Sequence, residues 1–423
     1  NKWGVFPSFS LGWNIYKESF LEDILPSSLS NAKLRFSWGK NGNENIGDFR
    51  YTVMTARGNN YEFGTSEAVA QGTKSSGLAN PDLRWEESVQ TNVGLDLGFF
   101  ANALTFSTDF YVKRTNGMLM EVPINAYVGE SKPIGNVGIM DNKGVEFELS
   151  YKFAVKDVNF RVGANATYLR NVLVDLGNES GFQDYNSFQG AGAISRAENG
   201  KPFVYFYGLK TDGIFQNYDE INAYTNAEGA LIMPSAVPGD VRFVDVNKDG
   251  KIDADDRTDI GNGTPDWTFG LNLSANWKGF DFYMLWQGTL GNQVLDLTRR
   301  VDISESNLPS YMLNRWTGEG TSNRIPRFVR GDSVNWQVSD LYVYDGSYAR
   351  LKNLQIGYTL PEKLVKKAFA SSLRLYVSAE NLVTLTNYHG YDPEISSGGT
   401  SLGIDYGVYP QARTFLFGVN LKF

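Results

Sequence analysis

The sequence predicts an all-β protein, specifically a transmembrane antiparallel β-barrel, on three observations. Apolar and polar residues alternate with period two from end to end, the pattern of strands with one wet and one dry face. Tight turns alternate with loops of roughly 25 to 90 residues, as in barrels with short turns on one side of a membrane and long loops on the other. Aromatics make up 14% of the 423 residues, with 27 Phe, 23 Tyr and 9 Trp, yet the mean hydropathy is negative. No apolar run reaches the roughly 18 residues of a transmembrane helix, so the apolar content must be spread over strands.

The elements follow in order. Phe9, Leu11, Trp13 and Ile15 share one face of an extended segment, and Leu34, Phe36 and Trp38 alternate with Lys33, Arg35 and Ser37 on the next. A polar stretch from Asn41 to about Pro81 reads as a loop too long for a compact soluble domain without a function. Val89, Thr91, Val93, Leu95, Leu97 and Phe99 form the next apolar face, and a turn near Ala101–Asn102 leads to Leu104, Phe106, Phe110 and Val112. A loop is expected from about Lys113 to Asn142. Val145 to Phe153 and Val158 to Ala166 then alternate around a turn at Lys156–Asp157. Residues 170–262 read as a long extracellular loop region.

Trp267 to Trp277 and Phe280 to Trp286 form a further hairpin through Lys278–Gly279, with tryptophans at both ends of one span, as girdles at two interfaces require. A long excursion from Gly288 to about Asp345 precedes the strand Tyr348–Tyr358. Leu360–Ser371 reads as a short helical connection, Leu373 to Ala379 as a strand, and Asn387–Tyr406 as a loop. Phe415, Phe417, Val419, Leu421 and Phe423 close the chain on one face. The spans number about eleven, each roughly 10–15 residues against the ~9–11 that cross a bilayer at a tilt. Single-chain bacterial barrels have even strand numbers, so this chain reads as part of a barrel, with its turns periplasmic and its long loops extracellular. Asn1 is not a natural start, and the chain reads as a mature fragment or the later part of a longer polypeptide.

Composition excludes several chemistries. The chain has no cysteine for disulfides, Fe–S clusters or thiol catalysis, and one histidine, His389, too few for a multi-histidine centre. A net charge of −8 argues against nucleic acid. Glu146 and Glu148 share a strand face, but such alternation occurs on any wet strand face. No phosphate loop, serine-nucleophile motif or metal-hydrolase spacing appears, so no enzyme is predicted.

One stretch carries a ligand-binding grammar. Counting from Asp245, oxygen-bearing side chains fall at loop positions 1, 3 and 5 (Asp245, Asn247, Asp249), Gly250 takes the turn at position 6, and Asp256 stands at position 12. Lys251 would add its backbone carbonyl and Asp253 would act through a water. The string predicts a structural Ca2+ ion that stiffens an extracellular loop; the alternative is a polar turn without metal.

Several blocks resemble the SusC/RagA-type TonB-dependent transporters of Bacteroidetes. These are NPDLRWEES (80–88) with NVGLD (92–96), GNVGIMDNKGVEF (135–147), FYGLKTDGIFQ (206–216) and PGDVRFVDVNKDGKIDADDRTDIGNGTPDWTFG (238–270). YARLKNLQIGY (348–358), SAENL (378–382), GYDPE (390–394) and the terminal YPQARTFLFGVNLKF follow in family order. The resemblance implies a 22-stranded barrel in the Gram-negative outer membrane, of which residues 1–423 supply the C-terminal part. It implies active import of oligosaccharides, or of peptides, under a SusD-like surface lipoprotein lid and powered by TonB. The plug domain and TonB box of that family have no counterpart in this chain, so an N-terminal half carrying them is an expected partner, alongside membrane lipid.

Within that reading, Glu146, Glu148, Lys152, Arg161, Asp281, Arg374 and Glu380 face the lumen, where solvation or pairing with a plug is the plainer role. Arg315, Trp316, Trp336, Tyr342 and Tyr344 are candidates to stack on or hydrogen-bond to a substrate; packing against the lid is the alternative. His389, beside Tyr388 and Tyr391, reads as a loop-packing residue. A calcium-binding surface adhesion or glycan-binding β-protein and a passive porin are the competing functions.

Overall fold

The structure, a computed structural model, describes residues 3–21, 24–45, 51–63, 68–75, 77–122, 124–299, 307–329, 334–366, 370–395 and 397–423. Eleven strands form one sheet whose hydrogen-bonded order is the chain order. They are β1 Ser8–Trp13, β2 Leu29–Asn43, β3 Glu86–Phe99, β4 Leu104–Glu121, β5 Ile134–Val155, β6 Val158–Asp175, β7 Trp267–Trp277, β8 Phe280–Leu290, β9 Tyr348–Thr359, β10 Ser372–Thr386 and β11 Thr414–Lys422. The expected strand number and fold class stand. No helix among the described residues is long and apolar enough to cross a membrane. The short connection between β9 and β10 holds the expected helix, at Glu362–Val365.

The apolar face of the sheet is exposed. Phe9 and Leu11 on β1, Phe36 and Trp38 on β2, Trp267 and Leu271 on β7, Leu375 and Val377 on β10, and Phe415, Phe417 and Val419 on β11 all lie open. Soluble monomers rarely leave contiguous apolar patches above a few hundred Å², so this face is built for a non-aqueous surround. On β7 and β8, each 11 residues long, the span matches the roughly 9–11 residues of a tilted crossing.

The chain divides into two compact units. The first comprises Asn1–Phe147, Leu169–Gln183 and Glu198–Phe203. On its polar face Arg35 of β2 bonds both Asp96 of β3 (2.7 and 2.8 Å) and Asp109 of β4 (2.8 and 2.7 Å). The connection after β2 carries two small antiparallel pairings, Thr55–Arg57 with Thr73–Ser75 and Tyr61–Phe63 with Ala68–Ala70.

The expected loop from Lys113 to Asn142 needs correction. Strand pairing continues to Glu121 and resumes at Ile134, leaving only residues 122–133 between strands. The alternation weakens there without the backbone ladder ending: from Lys113 to Glu121 most side chains are half-buried whichever way they point, so neither face selects one polarity. The pairing is carried instead by polar contacts, with Arg114 bonding Asp141 at 2.6 and 2.8 Å and the Asn136 amide bonding the Arg84 and Gly117 carbonyls. β2 likewise runs to Asn43, past the expected start of its loop.

The second unit comprises Glu148–Tyr168, Asp184–Ala197 and Val204–Phe423. Its long connections are not loose. Phe182–Ser187, Ala193–Glu198, Tyr205–Gly208 and Thr258–Asp259 form a four-stranded sheet, and Thr211–Ile214 pairs with Val241–Phe243. Gln293–Asp296 pairs antiparallel with Val343–Asp345 and parallel with Ile404–Asp405, tying together the connections before and after β9 and β10. Between them lies the main core: Phe188, Ile194, Phe206, Leu209, Val241, Phe243, Ile260, Leu295, Leu297, Val338, Leu341, Tyr342 and Ile404.

Candidate functional site

The connections of the second unit converge on an aromatic and ionic cluster beside that core. The strand Gln293–Asp296 delivers Asp296, which is 3% exposed. Its carboxylate accepts bonds from the Thr298 amide (2.9 Å) and hydroxyl (2.7 Å), and its second oxygen lies 3.1 Å from His389 Nε2. Burial opposes ionisation of Asp296, but the bonds from His389 and Thr298 outweigh it and hold the carboxyl below its ordinary range. The His389 ring sits edge-on between Tyr344 (4.3 Å) and Tyr311 (5.0 Å), and neighbouring Tyr388 donates its hydroxyl to Asp405 at 2.7 Å. Burial pushes the hydroxyls of Tyr311, Tyr344 and Tyr388 up, so all three stay protonated donors. His389 is thus a packing residue, as expected.

Arg299 is the other centre, 2% exposed. Its guanidinium lies 3.4 Å from the centroid of the Tyr342 ring and 5.7 Å from that of Trp336, rings nearly parallel at 7°. Nη1 donates to the Asp296 carbonyl (2.8 Å) and Nη2 to the Trp336 carbonyl (3.3 Å), while Nε has no partner among the described residues. Burial lowers the affinity of this cation for its proton, and the ring quadrupole and carbonyl dipoles offset part of that cost.

The five candidate substrate residues therefore part company. Trp336 and Tyr342 hold Arg299, and the Tyr342 hydroxyl donates to the Asn335 carbonyl at 2.7 Å. Tyr344 packs on His389, with the Arg324 guanidinium 5.3 Å from its ring centroid. Trp316 donates its indole N–H to Gln216 at 3.1 Å. Arg315 lines a surface groove with Leu308, Met312, Leu313 and Phe328. Trp316, Trp336, Tyr342 and Tyr344 each make contacts within the loop assembly, and Arg315 lies on a groove open to solvent.

The calcium-like loop folds as its sequence demands. Lys248 (φ 60°) and Gly250 (φ 87°) take the left-handed backbone, natural for glycine and costly for lysine. Asp245 accepts the amides of Asp249 (3.2 Å) and Gly250 (2.8 Å), Asn247 accepts Asp249 (2.9 Å), and Asp249 accepts Lys251 (3.2 Å). Asp256 turns elsewhere. It is fully buried, and its oxygens accept the amides of Val246 (2.8 Å) and Asp253 (2.9 Å), the latter within a capping box at the helical turn Ala254–Asp256. The Lys251 ammonium bonds Asp253 and holds its carboxyl below the ordinary range. Among the described residues no group of three or more Asp, Glu or His side chains is placed to hold a metal ion. The oxygen donors at 245, 247 and 249 suit calcium chemically; Asp256 is diverted into the fold.

Sequence reasoning missed a strut. Arg350 of β9, 2% exposed, bonds Asp392 (2.5 Å), Glu394 (2.7 Å) and the Thr384 hydroxyl (2.9 Å), and Lys352 joins Glu394 at 2.7 Å. The blocks 348–358 and 390–394 carry these residues, but only the fold shows that one grips the other. On the polar face of the sheet, Asp281 and Arg374 bind each other through two bonds.

Comparisons with known proteins follow the same lines. Residues 1–382 match the family described as TonB dependent receptor-like, beta-barrel. A TonB-dependent receptor of Formosa agariphila is 34% identical over 438 residues, covering 100% of this chain and 42% of that protein. The TonB-dependent receptor SusC of Bacteroides thetaiotaomicron is 30% identical, covering 100% of this chain and 40% of its own length. A solved structure of the RagAB peptide transporter superposes with a TM-score of 0.79 at 28% identity, covering 99% of this chain and 43% of that one. The chain thus spans less than half the length of the relatives it matches.

Proposed function

The chain belongs to the TonB-dependent receptor-like β-barrel family, of SusC/RagA type, and from that premise we propose that it forms the C-terminal part of an outer-membrane importer. The observation that carries this is the eleven-stranded sheet with an exposed apolar face and a polar face laced by ion pairs. Its two end strands, β1 and β11, each pair on one side only among the described residues. In a bilayer both free edges must be satisfied, which further strands of the same receptor would do. The relatives named are receptors and transporters rather than enzymes.

The cargo is an oligosaccharide or a peptide, the second supported by the peptide transporter among the structural relatives. A SusD-like lipoprotein lid, the plug-bearing N-terminal part and TonB complete the machine. Deletion cells complemented with the wild-type gene should take up a labelled oligosaccharide or a labelled peptide only while the proton gradient stands. Uptake of neither, or uptake indifferent to the gradient, would sink the import reading; the second outcome is what a passive porin gives.

Calcium belongs to the same proposal in a structural role. Asp245, Asn247, Asp249 and the Lys251 carbonyl would hold the ion and stiffen the connection between β6 and β7, with Asp256 fastening the loop from behind.

A further inference from the structure

We infer that the polar face of the sheet carries a binding site for a carboxylate, formed by Lys152 and Arg161 near the β5–β6 turn. The two cations stand four residues before and four residues after the two-residue turn Lys156–Asp157, so the hairpin sets them across from each other. They line one polar notch with Asn159, Ser274 and Asn276. Cross-strand pairing brings Asn159 opposite Asn276 and Arg161 opposite Ser274, so amide and hydroxyl donors flank the two charges. Like charges on facing strand positions destabilise a sheet, and no acid among the described residues is paired with either.

The adjoining acids are otherwise engaged. Asp281, opposite Asn276, is bonded to Arg374. Asp157, in the turn, is paired with Lys278 at 3.2 Å. Glu148 lies four residues up β5, roughly 13 Å of strand rise away. A guanidinium and an ammonium flanked by neutral donors make a bidentate-plus-point-charge cradle, the geometry that carboxylates take. The group filling it comes either from a free acidic ligand or from an acidic side chain elsewhere in the same receptor. The inference rests on the sheet face alone and does not depend on import.

The test uses the detergent-purified receptor, expressed with its natural flanking sequence, at low salt. Citrate is titrated calorimetrically into wild type, the double variant Lys152→Gln/Arg161→Gln, and Lys156→Gln as a control outside the notch. If the ligand is free, wild type and the control bind citrate and the double variant binds it roughly tenfold or more weakly. If the carboxylate is supplied by the receptor, citrate does not bind, and the double variant melts lower by more than about 3 °C. An unfilled site gives the opposite sign, since removing two facing cations then relieves repulsion. No citrate binding together with an unchanged or raised Tm overturns the proposal, as does citrate binding that the double variant leaves intact.

Discussion

The sheet and the loop assembly put apolar side chains to opposite uses. Phe417 on β11 is 85% exposed, whereas Phe206 in the loop assembly is 1% exposed. The main core of the second unit is drawn from the long connections, with no member from the eleven strands. In water such a sheet would be a liability. Its order comes from backbone ladders, and its apolar face needs a non-aqueous cover, while the loop assembly folds as an ordinary soluble protein does, by burying its own surface. A receptor of this kind is therefore two folding problems on one chain.

The sharpest way to break that comparison is to make one substitution in both regions. Phe206→Ala should cost about 3–5 kcal/mol by leaving a cavity, read as faster hydrogen exchange across residues 193–261. Phe417→Ala should stay within about 0.5 kcal/mol in detergent, as surface changes do. Equal effects would abolish the distinction. Next is the strut that joins the regions. Asp392→Ala leaves the Arg350 charge buried with one fewer partner and should cost about 3–5 kcal/mol, seen as new protease cuts within residues 387–413. Pairing it with Arg350→Met should recover most of the loss; if the double variant is as fragile as the single one, the charge is not what matters.

A third contrast lies within the 245–256 loop. Asp256→Ala should destabilise the loop by about 1–3 kcal/mol through three amides that lose their acceptor, those of Val246, Asn247 and Asp253, with or without calcium. Asp245→Asn should instead remove the increase in Tm on adding calcium. A calcium shift that survives Asp245→Asn would locate the ion elsewhere. The smallest effect is acid sensitivity. Because the folded carboxyl of Asp296 titrates below its ordinary 3.8, the unfolded chain takes up its proton first. Its stabilising share is present above about pH 4 and is lost as pH falls through the folded value. Asp296→Asn should flatten the acid limb of a fluorescence unfolding curve, and an unchanged limb would assign that sensitivity to other carboxylates.

The sheet was legible because period two is a direct imprint of a wall with two solvents. Trp267 to Trp277 could hardly be misread. Where side chains are half-buried on both faces, as from Lys113 to Glu121, the imprint fades although the strand does not. The loop assembly was opaque for a different reason: its core joins Ile194, Val241, Leu295 and Ile404 across great sequence distances with no period to announce them. The candidate aromatics were legible as residues, but their partners within the fold were not. That Trp336 and Tyr342 sandwich Arg299 depends on a contact no spacing encodes. Asp256 shows a related limit: the string gives it a ligand's position, and the fold adds backbone hydrogen bonds to Val246, Asn247 and Asp253 that no spacing announces.

The Arg35 bridge on the polar face has a mechanical side. Arg35 and Asp109 both face Gly94 of β3 across the ladder, and a Cβ there would meet Asp109 at 2.4 Å and Arg35 at 2.7 Å. The same arrangement recurs where Asp281 and Arg374 close over Gly357. A missing side chain lets each ion pair lie flat against the wall, running across the strands rather than along them. Such stitches act as hoops. They resist the splaying of neighbouring strands, and by lying flat they leave the polar face of the sheet unobstructed.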